Sequence, residues 1–333
     1  MPELIPLVPV RRVEVQTLVD NQIDMLLPSQ ERAHRPRLAG EAGAPRVETP
    51  LLAEPSLPDQ LAAEHGFSAL VTVEAGGRTH RLLFDAGMSV RGLAHNMRVL
   101  QIPLADIEAV VLSHGHFDHV VGLHGLISEH GKRALPLLLH PDFWLERRIA
   151  PPNAETFELP RNSRAAVQAA GFEIIEGRQP SLLLDGAVLI TGEVDRTTDF
   201  ERGFAIHQAK RDGAWTPDPL ILDDQALVVN VRGQGLVVLT GCGHAGIVNI
   251  VRHAQALTGE RRIAAVIGGF HLTGGLFEPI IPATVAALRE MAPAMVVPGH
   301  CTGFSATRAL SQELPEAFVQ PSVGTRYIVA AAD

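Results

Sequence analysis

Apolar residues follow two rhythms along this chain. Arg12–Asn21, "RVEVQTLVDN", alternates in period 2, and "FSALVTVEAGG" and "RTHRLLFDAG" are two further strand candidates. Gly76–Gly77 between them predicts a hairpin. Helical spacing is expected over about 90–100, in "VVGLHGLISEHG", and over Gly246–Gly259, Ile281–Ala292 and "SATRALSQEL". Short apolar runs predict strands at "IEAVVLS", "LPLLLH", "SLLLDGAVLITGEV", "QALVVNVRGQGLVVLTG", "IAAVIGG", "AMVVPGH" and "GTRYIVAA". Strands alternating with helices in the C-terminal half imply sheets covered by helices rather than an all-β barrel. Two stretches break the rhythm. Pro28–Pro58 is polar with prolines at 28, 36, 45, 50, 55 and 58, which predicts a long surface insertion. The stretch from Pro141 to about Pro180 is mixed, with "PPN" and "LPRN" breaks.

Composition narrows the class. The 333 residues are 46% hydrophobic, enough for a sizeable core, yet no apolar run is long enough to cross a bilayer. The start, "MPELIPLVPVRRVEV", has no basic segment leading into a long apolar stretch, so a soluble, cytoplasmic protein is expected. A net charge of −9, with arginine pairs only at 11–12, 147–148 and 261–262, argues against nucleic acid as a partner. Two cysteines cannot form a disulfide framework and suit a reducing compartment. Nothing repeats with a period of 20–50 residues.

The unusual residues gather where apolar strands end. Four strands run into glycine-rich turns carrying histidine: "VVLSHGHFDH", "LVVLTGCGHAG", "AAVIGGFHL" and "MVVPGHCTG". Turns beyond strand ends are where α/β proteins build sites, and glycine lets such turns be tight. In the first turn His114 and His116 stand two apart and share a face of extended backbone. Two neutral imidazoles there can bind one cation. Asp118 with His119 can begin a second centre beside it. His and Asp donors fit zinc, and manganese or iron as well.

"LSHGHFDHVVGL" carries the HxHxDH pattern and resembles the metallo-β-lactamase superfamily; "LLFDAG" (82–87) and "VVPGHCTG" resemble the segments before and after it there. With "DDQALVV", "LTGCGHAGIVNI" and "GGFHL", the chain looks like the dihydropterin-phosphoribosyl-aminobenzene synthase-like branch, named for an enzyme of methanopterin biosynthesis, from about Val13 onward. The resemblance implies an α+β fold: a four-layer αβ/βα sandwich of two mixed sheets, as one catalytic domain over 12–333. Segment 28–58 would be inserted within it, and 141–219 would be partly inserted on the substrate side.

Carried over by position, His114 and His116 match ligands of one metal site; Asp118, His119 and His300 match ligands of a second. This chain departs from the pattern at two places. "TGCGH" stands where the bridging aspartate is usual, and "LILDDQAL" where a third histidine is usual. His244 is therefore taken as the further ligand, with Asp223 and Asp224 as weaker candidates in or behind the shell. Cys242 is read as a small buried group or one behind the ligands, Cys301 as inert, and Asp85 as holding a ligand histidine from behind. His271 is left open between facing the substrate and serving structure. Histidines 34, 65, 80, 95, 124, 130, 140, 207 and 253 are read as ordinary, with His124 facing its neighbours and His253 solvated.

The expected activity is that of a binuclear metallohydrolase. Two divalent ions, zinc with manganese or iron as alternatives, would generate a bound hydroxide that attacks a small-molecule ester or phosphoester. Asp118 would orient that nucleophile and His271 would donate a proton or grip an oxyanion. A pterin/phosphoribosyl-aminobenzene condensing transferase, an iron-dependent redox protein and a metal-binding sensor are the rivals. No membrane partner is expected, and the oligomeric state is open.

Overall fold

Strands Gly235–Thr240 and Ile263–Gly269 are buried at every position. Their continuous apolar runs, "GLVVLT" and "IAAVIGG", suit strands covered on both faces. A computed structural model, describing residues 4–37, 40, 43–131 and 134–332, shows what covers them. Residues 38, 39, 41 and 42 of the Pro-rich segment, Asp333 and the His130 side chain lie outside the described residues.

Two mixed sheets face each other. The first has eight strands, in the order Phe172–Glu176, Leu135–Leu139, Ala109–Val111, Arg78–Phe84, Ser68–Ala75, Arg12–Val19, Arg326–Ala330 and Ala33–His34. Its first four are parallel and the rest antiparallel. The second has six: Ser181–Leu183, Val188–Ile190, Leu227–Val231, Gly235–Thr240, Ile263–Gly269 and Val296–Gly299. Alternation in Arg12–Val19 buries Val13 and Val15 against the second sheet, where Val229, Val237, Leu239 and Ile267 join the same core. Each such aliphatic side chain contributes about 1.5–3 kcal/mol by its burial. Helices Gly92–Val99 and Leu123–His130 cover the outside of the first sheet. Ile247–Thr258, Ile281–Met291 and Phe304–Glu313 cover the second. This is the four-layer α+β arrangement, and the expected strands and helices appear in it. Gly76 and Gly77 turn the hairpin with φ of 56° and 76°, a region glycine enters without strain.

The mixed stretch after Pro141 resolves into a small third sheet, ordered Phe157–Glu158, Arg147–Ile149, His207–Arg211 and Ala214–Pro217. Pro28–Pro58 contributes the edge strand Ala33–His34 and a two-stranded hairpin, Arg46–Glu48 with Ser56–Pro58. Among the described residues no helix is long and apolar enough to cross a membrane.

Register brings the chemistry-bearing turns level. Thr240 pairs with Gly268 and Gly269 with Gly299, so the turns carrying Cys242, His244, His271 and His300 leave one sheet edge together. Gln225 ties the opposing sheet to them: its amide N–H donates to Ser113 O and its side chain to Leu112 O.

Candidate metal centre

The first turn is held from behind before any ligand is considered. Gly115 separates His114 from His116, and a Cβ there would meet Phe143 O at 2.5 Å and Arg147 Nη1 at 2.9 Å. Its N–H donates to Asp223 Oδ2 (2.8 Å) and its carbonyl accepts from Asn162 Nδ2 (2.7 Å). Asp223 in turn accepts from buried Arg147 at 2.6 Å. A tight turn then carries the chain through Phe117–His119. His114, His116, Asp118 and His119 are all buried.

Two pockets result. The rings of His114, His116 and His244 form a near-equilateral triangle with centroids 4.6, 4.8 and 4.9 Å apart. His116 Nδ1 and His244 Nε2 are 3.1 Å apart. Two nitrogens on one tetrahedral zinc, each at roughly 2.0–2.1 Å, stand roughly 3.3 Å apart, so the spacing fits a shared cation. The second pocket joins Asp118, His119, Cys242 and His300, whose candidate donor atoms lie within 4.8 Å of one another. Asp118 Oδ2 is 3.3 Å from His300 Nε2 and 3.7 Å from His119 Nε2, and Cys242 Sγ is 3.1 Å from that same His119 nitrogen. Cys242 also groups with His244 and His271, so it stands between the pockets.

The outer hydrogen bonds decide which ring nitrogens face inward. Asp85 accepts Ser113 N–H at Oδ1 and Ser113 Oγ–H at Oδ2, both at 2.7 Å. With its proton spent, Ser113 Oγ accepts from His114 Nδ1 at 2.9 Å, which leaves His114 Nε2 a bare lone pair. That nitrogen is buried without a hydrogen-bond partner. Asp85 Oδ2 also lies 2.7 Å from His119 Nδ1, which turns His119 Nε2 toward Asp118 and Cys242. Asn21 Oδ1 lies 3.2 Å from His300 Nδ1 while Asn21 Nδ2 donates to His300 O. His300 Nε2 faces Asp118 Oδ2 at 3.3 Å. Buried acceptors with nothing to accept are costly unless something fills them. A cation at each pocket fits this donor set.

The charges differ between the pockets. Burial, then the neighbouring imidazoles His119 and His116, pushes His114 well below its ordinary range. Burial and His244 do so for His116, and burial and His271 for His244. In the second pocket burial opposes the charged forms, but His119 and His300 still hold Asp118 well below the carboxylate range. Asp118 and Asp85 likewise overcome burial at His119 and raise it to about 9. Burial pushes the Cys242 thiol up.

Residues 80–301 match the β-lactamase superfamily domain. The chain is 31% identical over 265 residues to the 7,8-dihydropterin-6-methyl-4-(β-D-ribofuranosyl)-aminobenzene-5′-phosphate synthase of Methanocaldococcus jannaschii, spanning 79% of this chain and 89% of that one. The chain belongs to the metallo-β-lactamase superfamily. An uncharacterised protein of the same organism is 32% identical over 257 residues, covering 75% of this chain and 88% of its own. A solved structure described as a metal-dependent hydrolase of the β-lactamase superfamily superposes with a TM-score of 0.67 at 25% identity, over 96% of this chain and all of that one.

Within this superfamily fold, the six candidate ligands read from the sequence, His114, His116, Asp118, His119, His244 and His300, converge on the two pockets. Asp85 stands behind His119 and, through Ser113, behind His114. Asp223 and Asp224 belong to neither group of candidate donors: Asp223 braces Gly115, and Asp224 accepts from Ala245 N at 2.8 Å with burial raising its carboxyl to about 6. His271, at φ 44°, lies with its ring 4.2 Å from His244 and its Nδ1 without a partner. It lines a cavity of ≈ 470 Å³ with His244, Phe200, Arg202 and Phe277.

Three residues were undervalued by sequence. Cys242 sits among the candidate ligands, as its place in "TGCGH" could have signalled. His65 lies over His300, centroids 5.0 Å apart, with Nε2 3.8 Å from Asp118. His207 is buried against His116. Neither histidine has a motif to mark it. His253 is buried rather than solvated because its side of the helix faces the segment at Asp195, and His124 is exposed rather than packed.

Proposed function

We propose that this chain is a metal-dependent hydrolase cleaving an ester or phosphoester of a small molecule, with an ion in each pocket, zinc before manganese or iron. The observation that carries the reading is the set of buried imidazole nitrogens turned into the pockets, above all His114 Nε2, whose lone pair faces inward with no partner. His114, His116 and His244 would hold one ion; Asp118, His119, Cys242 and His300 the other. Divalent ions bound there would polarise the scissile group and make water nucleophilic at neutral pH. Asp118, ionised, orients the attacking water. His271 stands at the wall of the neighbouring cavity, where it grips a substrate oxygen or hands the leaving group a proton. A net charge of −9 favours a small molecule over nucleic acid as substrate, and free Cys242 and Cys301 favour a reducing cytoplasm.

A second reading is a condensing transferase, favoured by the 31% identity to a protein named as a synthase. The readings separate by assay. Protein purified without a polyhistidine tag and loaded with zinc or manganese should hydrolyse a phosphodiester or lactone panel. The His116→Ala variant should keep its fold by circular dichroism and lose turnover by at least about 100-fold. Turnover seen only when a pterin and a phosphoribosyl-aminobenzene are supplied together would replace hydrolase with transferase. Iron accompanied by redox activity and no hydrolysis would sink both.

A further inference from the structure

The outer partner of His116 comes from the small third sheet. His207 begins the strand His207–Arg211, fully buried, and its Nε2 lies 3.1 Å from His116 Nε2. Two facing ring nitrogens can share only one proton, so one donates and the other accepts. The other side of His207 decides which. Its Nδ1 lies 3.0 Å from the carbonyl oxygen of Asp218, a group that can only accept. Asp218 is fixed in turn: its N–H donates to His207 O at 3.0 Å and its carboxylate pairs with Arg211 at 3.2 Å. His207 therefore carries its proton on Nδ1 and presents a lone pair from Nε2. His116 must donate from its own Nε2, which leaves His116 Nδ1 bare and facing His244 Nε2 at 3.1 Å.

We infer that His207 is a positioning residue that fixes the tautomer of His116, so that the segment His207–Asp218 completes the first pocket without touching an ion. This rests on the metal-binding reading above for its consequence, though not for its geometry. The same small sheet supplies Arg147, which braces Gly115 through Asp223, so the turn between the two histidines is held from one side by residues far along the chain.

The test reads the proton directly. In metal-free protein labelled with ¹⁵N-histidine, long-range ¹H–¹⁵N correlations should show His116 protonated on Nε2. His207→Leu should abolish that preference, and His207→Gln, whose amide oxygen can accept from His116, should restore it. Zinc competition against a chromophoric chelator should show His207→Leu weakening the first pocket by about 10- to 100-fold, with the second within a few fold and His207→Gln close to wild type. His116 protonated on Nδ1 in the wild type would overturn the inference. So would equal behaviour of the two variants, or equal weakening of both pockets. Wild type showing the expected tautomer but taking up no zinc would remove the metal reading and leave His207 as the residue that sets His116.

Discussion

The two pockets share a wall yet are built on opposite electrostatic plans. The first is three neutral imidazoles, each pushed toward the uncharged form by burial and by the others. The second sets an ionised carboxylate beside an imidazole raised to about 9 and a buried thiol. The first is ready for a cation without releasing a proton. The second must give up the His119 proton, and that of Cys242 if sulfur coordinates, in exchange for its ion. A filled first pocket keeps the full ionic charge, while Asp118 and a Cys242 thiolate neutralise the second. On the proposed reading the contrast teaches how a pair of sites would divide the work: the first pocket would polarise, the second would anchor and orient.

Asp85 is the residue on which both plans depend, so its replacement should have the largest effect. In Asp85→Asn an NH₂ group would replace the oxygen that faces both Ser113 Oγ and His119 Nδ1. Ser113 would then pass its proton to His114, and His119 would lose its acceptor. Both rings would turn protons inward. Zinc affinity should fall by about 10- to 100-fold in each pocket, measured by chelator competition; loss in only one would break the shared-anchor account.

Acidity should separate the pockets next. His119 is raised from 6.5 to about 9 in the folded metal-free chain. Its proton therefore adds stability that is fully present below about pH 6.5 and is lost as pH rises through about 9. Binding in the second pocket must displace that proton, so its affinity should rise roughly tenfold per pH unit from about 7 to about 9, and roughly a hundredfold per unit when Cys242 gives up its proton as well. The first pocket should stay nearly flat over the same range. Calorimetry in buffers of different ionisation enthalpy counts the protons, and equal release from both pockets would contradict the contrast.

The smallest effect should come from Asn21→Ala. It removes the acceptor behind His300 and the Asn21 side-chain bond to His300 O, at a cost of about 1 kcal/mol. Second-pocket affinity should drop several-fold with the first unmoved; a uniform fall would mean that the turn at His300 supports both.

What the sequence revealed and what it hid follow the same physics. His114, His116, Asp118 and His119 are legible because one short turn holds them, and spacing within a turn fixes geometry. The strands that deliver His244, His271 and His300 are legible because their burial on both faces makes them uniformly apolar. Asp85 was legible from its turn at the end of "LLFDAG". Cys242 was undervalued because a buried cysteine next to glycine is as good a core residue as a ligand. His207 was invisible for a different reason. It lies 91 residues from His116 in a segment without a motif, and the pairing of Arg147–Ile149 with His207–Arg211 brings it under the turn. Contacts made by non-local pairing leave no pattern in either partner's neighbourhood.

The most direct test is anomalous diffraction at the zinc edge from crystals of tag-free protein equilibrated with zinc. The account predicts two peaks, one enclosed by His114, His116 and His244 and one by Asp118, His119, Cys242 and His300. A single peak, or two with neither among the inward-facing nitrogens, would contradict it.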